Sequence, residues 1–116
     1  RTLAASANGD LDLAGGLTDA FGAAITFARI KWIELEADST NTNNVVLGGA
    51  PANAFVGPFG AAAHTISVVP GGKLRLVAPN AAGYAVTAGT GDLLRVANSG
   101  AGTSVKYRLI LGGSLT

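Results

Sequence analysis

Apolar residues alternate with polar residues along several short stretches of this chain. In Val105–Leu111 the apolar residues share one face of an extended strand, and Lys106 and Arg108 lie on the other. Lys73–Leu76 repeats the pattern with two cations and two leucines. A period of two is typical of strands that bury one face and expose the other. We therefore predict antiparallel sheet at both positions.

Glycine, proline and asparagine separate these stretches. Pro70-Gly71-Gly72 divides the β-branched run Thr65–Val69 from Lys73–Leu76. Because proline fixes φ and glycine accepts positive φ, this segment predicts a tight turn that joins the two strands as a hairpin. Turn signals of this kind recur about every 8–12 residues. The chain is thus predicted to be all-β, an antiparallel β-sandwich of about eight short strands, jelly-roll-like or Ig-like in architecture.

The longest strand signal, Ile25–Ala37, contains charges that strict alternation would divide between both faces. A single bulge near Trp32-Ile33 would place all the charges outside and keep Ile30, Ile33 and Leu35 inside. We predict this bulge. For the tryptophan, packing in the core or at its rim is favoured over a platform for stacking sugars.

The chain divides into a short arm and one domain. Residues 1–9 are small and polar, and we predict an N-terminal arm that becomes ordered when something binds it. Residues 10–116 are long enough for a single sandwich domain with its own core. Leu11 and Leu13 indicate its first strand, which Gly15-Gly16 is expected to end.

Two loops carry apolar residues that need an explanation. Leu17 and Phe21 belong to a predicted irregular loop and are expected to pack onto the core. Ala50–Ala63 is long, and its prolines and glycines interrupt any helix pattern. It either folds over one end of the sandwich with Phe55 and Phe59 as anchors, or contacts a neighbouring subunit.

Composition narrows the classes of partner. The net charge of +1 gives no basic stripe for nucleic acid, and no apolar run is long enough for a transmembrane helix. The chain has no cysteine for disulfides or thiolate metal sites. Only 13% of residues are charged, and there are 17 glycines. This indicates either a surface covered by another subunit or a compact sandwich with small residues in its loops.

No arrangement typical of catalysis is found. Glu34 and Glu36 share one exposed face, without the desolvation that general acid–base work needs. His64 is the only histidine and is expected at the start of a strand. Asp10 and Asp12 lack the further acidic ligands of a calcium loop. We predict no enzyme activity, no cofactor and no metal site.

A succession of strand and turn motifs covers residues 29–111. It consists of Val46-Leu47-Gly48-Gly49-Ala50, Val69-Pro70-Gly71-Gly72, Val77-Ala78-Pro79, Gly83-Tyr84-Ala85-Val86-Thr87 and Asp92-Leu93-Leu94-Arg95-Val96-Ala97-Asn98-Ser99. This succession resembles the small β-sandwich virion proteins of tailed bacteriophages. The resemblance implies a capsid decoration (cement) protein, or a tail or baseplate component, and it implies no catalytic residues. Decoration proteins of this kind commonly form trimers that clamp neighbouring capsid subunits.

We therefore expect a non-enzymatic virion structural protein, most readily a capsid decoration protein that stabilises the shell through oligomeric contacts. Its expected partners are further copies of itself, with a trimer favoured, and the major capsid protein or other virion subunits. The residues expected to make these contacts are Leu3, Trp32, Phe55 and Phe59.

One alternative belongs to a different class. A glycan-binding module would use an exposed Trp32 or Tyr84 together with Asn41, Asn43 and Asn44. A tail or baseplate subunit is not separable from a decoration protein by these patterns.

Overall fold

Eleven strands make up the regular structure in the residues that the computed structural model describes, 2–18 and 21–114. They are β1 (Thr2–Leu3), β2 (Asn8–Asp12), β3 (Ala14–Thr18), β4 (Ala24–Thr26), β5 (Arg29–Ala37), β6 (Val45–Gly48), β7 (Thr65–Val68), β8 (Lys73–Val77), β9 (Tyr84–Ala85), β10 (Leu93–Asn98) and β11 (Val105–Ser114). The all-β prediction is confirmed. The number exceeds the predicted eight because β1 lies in the predicted arm, β3 covers part of the predicted irregular loop, and the predicted strand Ile25–Ala37 is divided into β4 and β5.

The strands form two main antiparallel sheets with the core between them. The five-stranded sheet has the order β1-β11-β5-β8, and β9 pairs with the beginning of β5. The four-stranded sheet has the order β2-β10-β6-β7, while β3 and β4 form a separate two-stranded sheet. Ile33 and Leu35 of the first sheet and Leu47, Leu94 and Val96 of the second are fully buried in one cluster. The chain is therefore a β-sandwich.

The predicted bulge in β5 is confirmed, one residue earlier than expected. The register between β5 and β11 shifts opposite Lys31, so that Lys31 and Trp32 both lie outside. Ile30, Ile33 and Leu35 have no exposed surface. The extra residue lets a strand with irregular charge spacing keep one dry face.

The predicted hairpin across Pro70-Gly71-Gly72 is wrong, although the turn is present. β7 pairs with β6 in one sheet and β8 pairs with β5 in the other, so this turn carries the chain between the sheets. Gly71 has a φ of 79°, and its N–H donates to the Ala37 carbonyl at 3.1 Å. Turn residues determine where the chain reverses, whereas burial against the core determines which strand it then pairs with.

The first loop also differs from the prediction. Gly15 and Gly16 lie within β3 instead of ending a strand, and the register of β3 with β4 shifts beside them. Leu17 packs against the core as expected, but Phe21 is 96% exposed. Asp19 and Ala20, between these two residues, lie outside the described part of the chain.

The long Ala50–Ala63 loop folds over the sandwich. Phe55 and Phe59 are only 2% and 8% exposed and belong to the core cluster, which favours the anchoring alternative. The Phe55 N–H donates to the Leu93 carbonyl at 2.8 Å and so fixes the loop to β10. His64 directly precedes β7, as predicted.

The N-terminal residues that the structure describes are held by the sheets. Thr2 and Leu3 pair with Lys106 and Val105 of β11, and Asn8 begins β2. Throughout residues 2–18 and 21–114, no helix is long and apolar enough to cross a membrane.

Candidate functional site

The five-stranded sheet has one side that faces away from the core, and we call this side the outer face. Because side chains alternate along a strand and directly opposed residues share a face, the register defines its members. They are Trp32, Glu34 and Glu36 of β5, Lys73, Arg75 and Val77 of β8, and Arg108, Ile110 and Gly112 of β11.

The outer face has an apolar end and a charged end. At the apolar end Trp32 lies between Val77 and Gly112. At the other end Glu36 lies between Lys73 and Arg108. The pattern places opposite charges on neighbouring strands, where cross-strand pairs favour the sheet.

Trp32 is held in place but remains accessible. Its side chain is 37% exposed, and the Arg75 Cζ atom lies 5.6 Å from the centre of its ring, within range of a cation–π contact. A Cβ added at Gly112 would lie 3.3 Å from the Trp32 Cε3 atom, so the glycine leaves room for the indole. Val77 beside it is 57% exposed. An aromatic ring and an aliphatic side chain therefore form an accessible apolar patch.

The charged end is open to solvent. The Lys73 Nζ atom lies 3.8 Å from Glu36 Oε2, and their side chains are 64% and 40% exposed. A pair this exposed contributes little to stability because water and salt screen it. Glu36 and Lys73 therefore remain accessible to a partner, with which each could form an ion pair.

A shallow depression of about 310 Å³ continues from the charged end. It is lined by Thr2, Glu36, Asp38, Lys106, Tyr107 and Arg108. The Asp38 carboxylate accepts hydrogen bonds from the Thr40 N–H at 2.8 Å and the Thr40 hydroxyl at 2.7 Å. These bonds lower the pKa of Asp38, so its charge persists on mild acidification.

The structure separates the residues that the sequence proposed for contacts. Trp32 lies on the outer face, whereas Phe55 and Phe59 are core residues. Leu3 is partly buried and packs against the core from β1. Of these side chains, only Trp32 presents a large exposed surface to a partner.

The structure does not assemble the residues of the glycan alternative. Asn41 is 9% exposed, and its amide bonds both backbone groups of Lys106 at 2.8 Å. Lys106 is six positions along β11 from Gly112, the neighbour of Trp32, which corresponds to about 20 Å. Tyr84 is half-buried and packs against Gly57.

The other asparagines form an internal network that the sequence analysis missed. Asn98, at the end of β10, is 7% exposed and accepts a hydrogen bond from Asn43 Nδ2 at 2.9 Å. Asn44 contributes its backbone N–H, which donates to Ser99 Oγ at 2.8 Å. The sequence does contain a signal for this network, since Asn98 follows Leu94 and Val96 at the inward-facing positions of the strand.

Asp10, Arg95 and His64 are engaged in structural contacts. The Arg95 guanidinium donates to both Asp10 oxygens, at 2.7 and 3.0 Å, and holds the pKa of that carboxyl below its ordinary value. His64 Nδ1 donates to the Phe59 carbonyl at 2.6 Å. Within the described ranges, no three histidine, aspartate or glutamate side chains converge to hold a metal ion.

No protein-family model matches the chain, and no curated protein or solved structure is significantly similar to it.

Proposed function

We propose that this chain is a non-enzymatic structural protein of a virus particle, and that it binds another subunit through its outer face. The observation that carries the proposal is the exposed Trp32–Val77 patch beside a charged end. The specific role we propose is that of a capsid decoration protein.

The composition of the outer face supports protein binding. Interfaces commonly have an apolar centre that contains an aromatic residue, surrounded by polar groups that pair across the rim. Trp32 and Val77 would supply the centre, and Glu36, Lys73 and Arg108 the rim. Burial of this patch would stabilise a complex by about 25 cal/mol per Å² of apolar area, before the cost of association.

The arrangement of the carboxylates also favours a structural role. Asp10 is engaged by Arg95 and Asp38 by Thr40, and both contacts favour the charged carboxylate. A general acid would instead need a raised pKa. These groups are suited to holding the fold and not to transferring protons.

We propose the kind of particle and the partner on the basis of the resemblance to virion proteins of tailed bacteriophages. On this proposal the chain is located in the virion, and the major capsid protein is the partner of the outer face. Placement in the tail or baseplate would use the same surface on a different subunit. A glycan-binding role has less support, because its asparagines bond within the chain.

Co-sedimentation with purified capsids that lack the protein tests this proposal. We expect Trp32→Ala and Val77→Lys each to weaken capsid binding at least ~10-fold, as expected for residues at an interface centre. Val69→Lys is the matched control, since Val69 is 59% exposed but lies in the connection between β7 and β8. It should bind like the parent chain.

The chain's single tryptophan supplies a second readout. Trp32 emission should shift to the blue when capsids bind, because the indole leaves water. If the parent chain does not bind, or if both outer-face variants bind as tightly as the parent, the proposal is refuted.

A further inference from the structure

Arg75 places a charged group at the apolar end of the outer face. Trp32 is opposed to Val77, and Arg75 precedes Val77 by two residues in β8, so Arg75 and Trp32 are diagonal neighbours. The Arg75 Cζ atom lies over the indole ring, 5.6 Å from its centre, and the arginine side chain is exposed. A partner that covers Trp32 therefore also covers Arg75.

The guanidinium of Arg75 is not neutralised by the carboxylate across the strand. Glu34 lies directly opposite Arg75 on β5. Directly opposed residues have Cβ atoms about 5 Å apart, which is within reach of an ion pair between two such long side chains. Within residues 2–18 and 21–114, however, no ion pair joins Arg75 to Glu34. The arginine is directed to the indole ring instead.

Contact with the ring leaves the polar groups of Arg75 able to bind an acceptor. A guanidinium can lie over an aromatic ring and still direct its N–H groups, which lie in its own plane, to other molecules. Two of these N–H groups match the two oxygens of a carboxylate. Arg75 therefore combines a fixed position on Trp32 with the geometry that recognises a carboxylate.

Burial of the outer face would make a counter-charge necessary. A charged group that leaves water without an opposite charge raises the free energy of the complex strongly. If Trp32 lies at the centre of an interface, Arg75 loses water together with the ring beneath it. A carboxylate must then face the guanidinium in the complex.

We propose that the partner subunit supplies this carboxylate. On this proposal, which rests on the proposed function, an acidic side chain of the partner binds Arg75, and an apolar side chain next to it covers Trp32 and Val77. The partner surface is thus acidic beside an apolar centre.

The charges of the outer face complement such a partner. Three cations, Lys73, Arg75 and Arg108, lie on it with two carboxylates, Glu34 and Glu36, which leaves one positive charge in excess. The Glu36 carboxylate is already within 3.8 Å of the Lys73 ammonium group. An acidic surface is attracted to this face and orients on it, whereas a basic one is repelled.

Glu34 is the alternative source of the counter-charge. To pair with Glu34, Arg75 would turn from the ring towards the opposite residue and lose the cation–π contact. This contact becomes stronger when water is removed, so it would be lost in the complex, where it contributes most. A carboxylate from the partner lets Arg75 keep the ring and gain an ion pair, which is why we favour it.

Substitution of Arg75 tests whether its charge is used. In co-sedimentation with purified capsids that lack the protein, Arg75→Gln should weaken binding at least ~10-fold, because a charge-assisted hydrogen bond is lost. Arg75→Lys keeps the charge but not the planar fork, and its affinity should lie between those of Arg75→Gln and the parent. Arg95→Gln is the matched control, since it removes an equal charge from the other sheet, where Arg95 pairs with Asp10. It should bind like the parent chain.

Substitution of Glu34 shows which carboxylate faces Arg75. If the partner supplies it, Glu34 repels the incoming charge, and Glu34→Gln should strengthen binding about 3-fold, the effect of one like charge ~6 Å away in water. If Glu34 is itself the counter-ion, Glu34→Gln should weaken binding as Arg75→Gln does. The two sources therefore predict effects of opposite sign.

Salt supplies a further readout. Between about 50 and about 500 mM salt, binding of the parent should weaken more than binding of Arg75→Gln, because screening acts on the ion pair that the variant lacks. Parent-like binding of Arg75→Gln, or a loss of ~3-fold or more for Glu34→Gln, would overturn the inference while the effects of Trp32→Ala and Val77→Lys still support the outer face. If the parent chain does not bind capsids at all, the proposed function is refuted, and this inference with it.

Discussion

Asn98 joins three loops at one end of the sandwich, and its substitution tests whether this network maintains the fold. The side-chain Nδ2 donates to the carbonyls of Ala4 at 3.1 Å and Thr103 at 2.8 Å. The Oδ1 atom accepts from Asn43 Nδ2 at 2.9 Å and from the Gly100 N–H at 3.2 Å. Asn98→Ala removes all these bonds at a position that is 7% exposed.

The magnitude depends on which partners keep another bond. Asn43 Nδ2 still donates to the Gly100 carbonyl at 3.2 Å and to the Thr103 carbonyl at 3.3 Å, and the Ala4 carbonyl still accepts from the Ala7 N–H at 3.0 Å. The Gly100 N–H loses its acceptor. One orphaned donor costs about 1–3 kcal/mol, and each bond to a partner that keeps another contributes about 0.5 kcal/mol. We expect Asn98→Ala to lower the free energy of unfolding by about 2.5–4.5 kcal/mol, since three partners keep another bond and one does not.

Urea denaturation followed by circular dichroism measures this loss. The midpoint should fall while the slope of free energy against urea stays constant, because the surface exposed on unfolding is unchanged. Asn44→Ala is the matched control, since Asn44 contributes its backbone N–H to the network. We expect its effect to stay within about 0.5 kcal/mol. A loss below about 1 kcal/mol for Asn98→Ala, or equal losses for both variants, would refute the reasoning.

Two further predictions concern the core and the charges. Phe55→Ala should lower the free energy of unfolding, measured by urea denaturation, by about 3–5 kcal/mol because Phe55 is 2% exposed. Phe21→Ala is the control, and because Phe21 is 96% exposed it should change this free energy by less than about 0.5 kcal/mol. Similar losses for the two variants would contradict the placement of Phe55 in the core. Arg95 lowers the pKa of Asp10 from 3.8, so this pair stabilises the fold above that value and the stabilisation is lost as pH falls through the lower pKa of the folded state. Asp10→Asn should therefore cost about 0.5–1 kcal/mol at neutral pH and nothing in strong acid, and a cost that does not change with pH would show that the ion pair is not its source.

Local patterns predicted much of the secondary structure. The alternation in Lys73–Leu76 and Val105–Leu111 gave strands with the correct inward faces, because one buried face requires a period of two. The charges of Ile25–Ala37 even revealed the bulge, since no regular strand keeps Ile30 and Ile33 on one face.

Pairing could not be predicted in the same way. Pro70-Gly71-Gly72 reverses the chain whether the next strand joins the same sheet or the opposite one. β11 continues through Gly112 and Gly113, beyond the predicted stretch Val105–Leu111, and Trp32 and Phe27 pack against these glycines from other parts of the chain. Such contacts connect residues far apart in sequence.

The candidate site, too, was predictable only in its local features. The sequence showed that Trp32 lies in a strand with charged neighbours, but not that Val77 and Arg75 would be the residues beside it. Its other aromatic candidates, Phe55 and Phe59, could not be assigned from the loop alone. An apolar side chain in a loop has the same local sequence whether it enters the core or faces a partner.

The sequence by itself determined that this chain forms a β-sandwich with short strands, one dry face per strand, and exposed charges of both signs. These properties depend on the spacing of side chains along a strand. Only the tertiary structure decided that Phe55 is buried while Phe21 is exposed, and that Asn98 bonds three loops together. These depend on which strands become neighbours, and that choice is made by burial of the whole core.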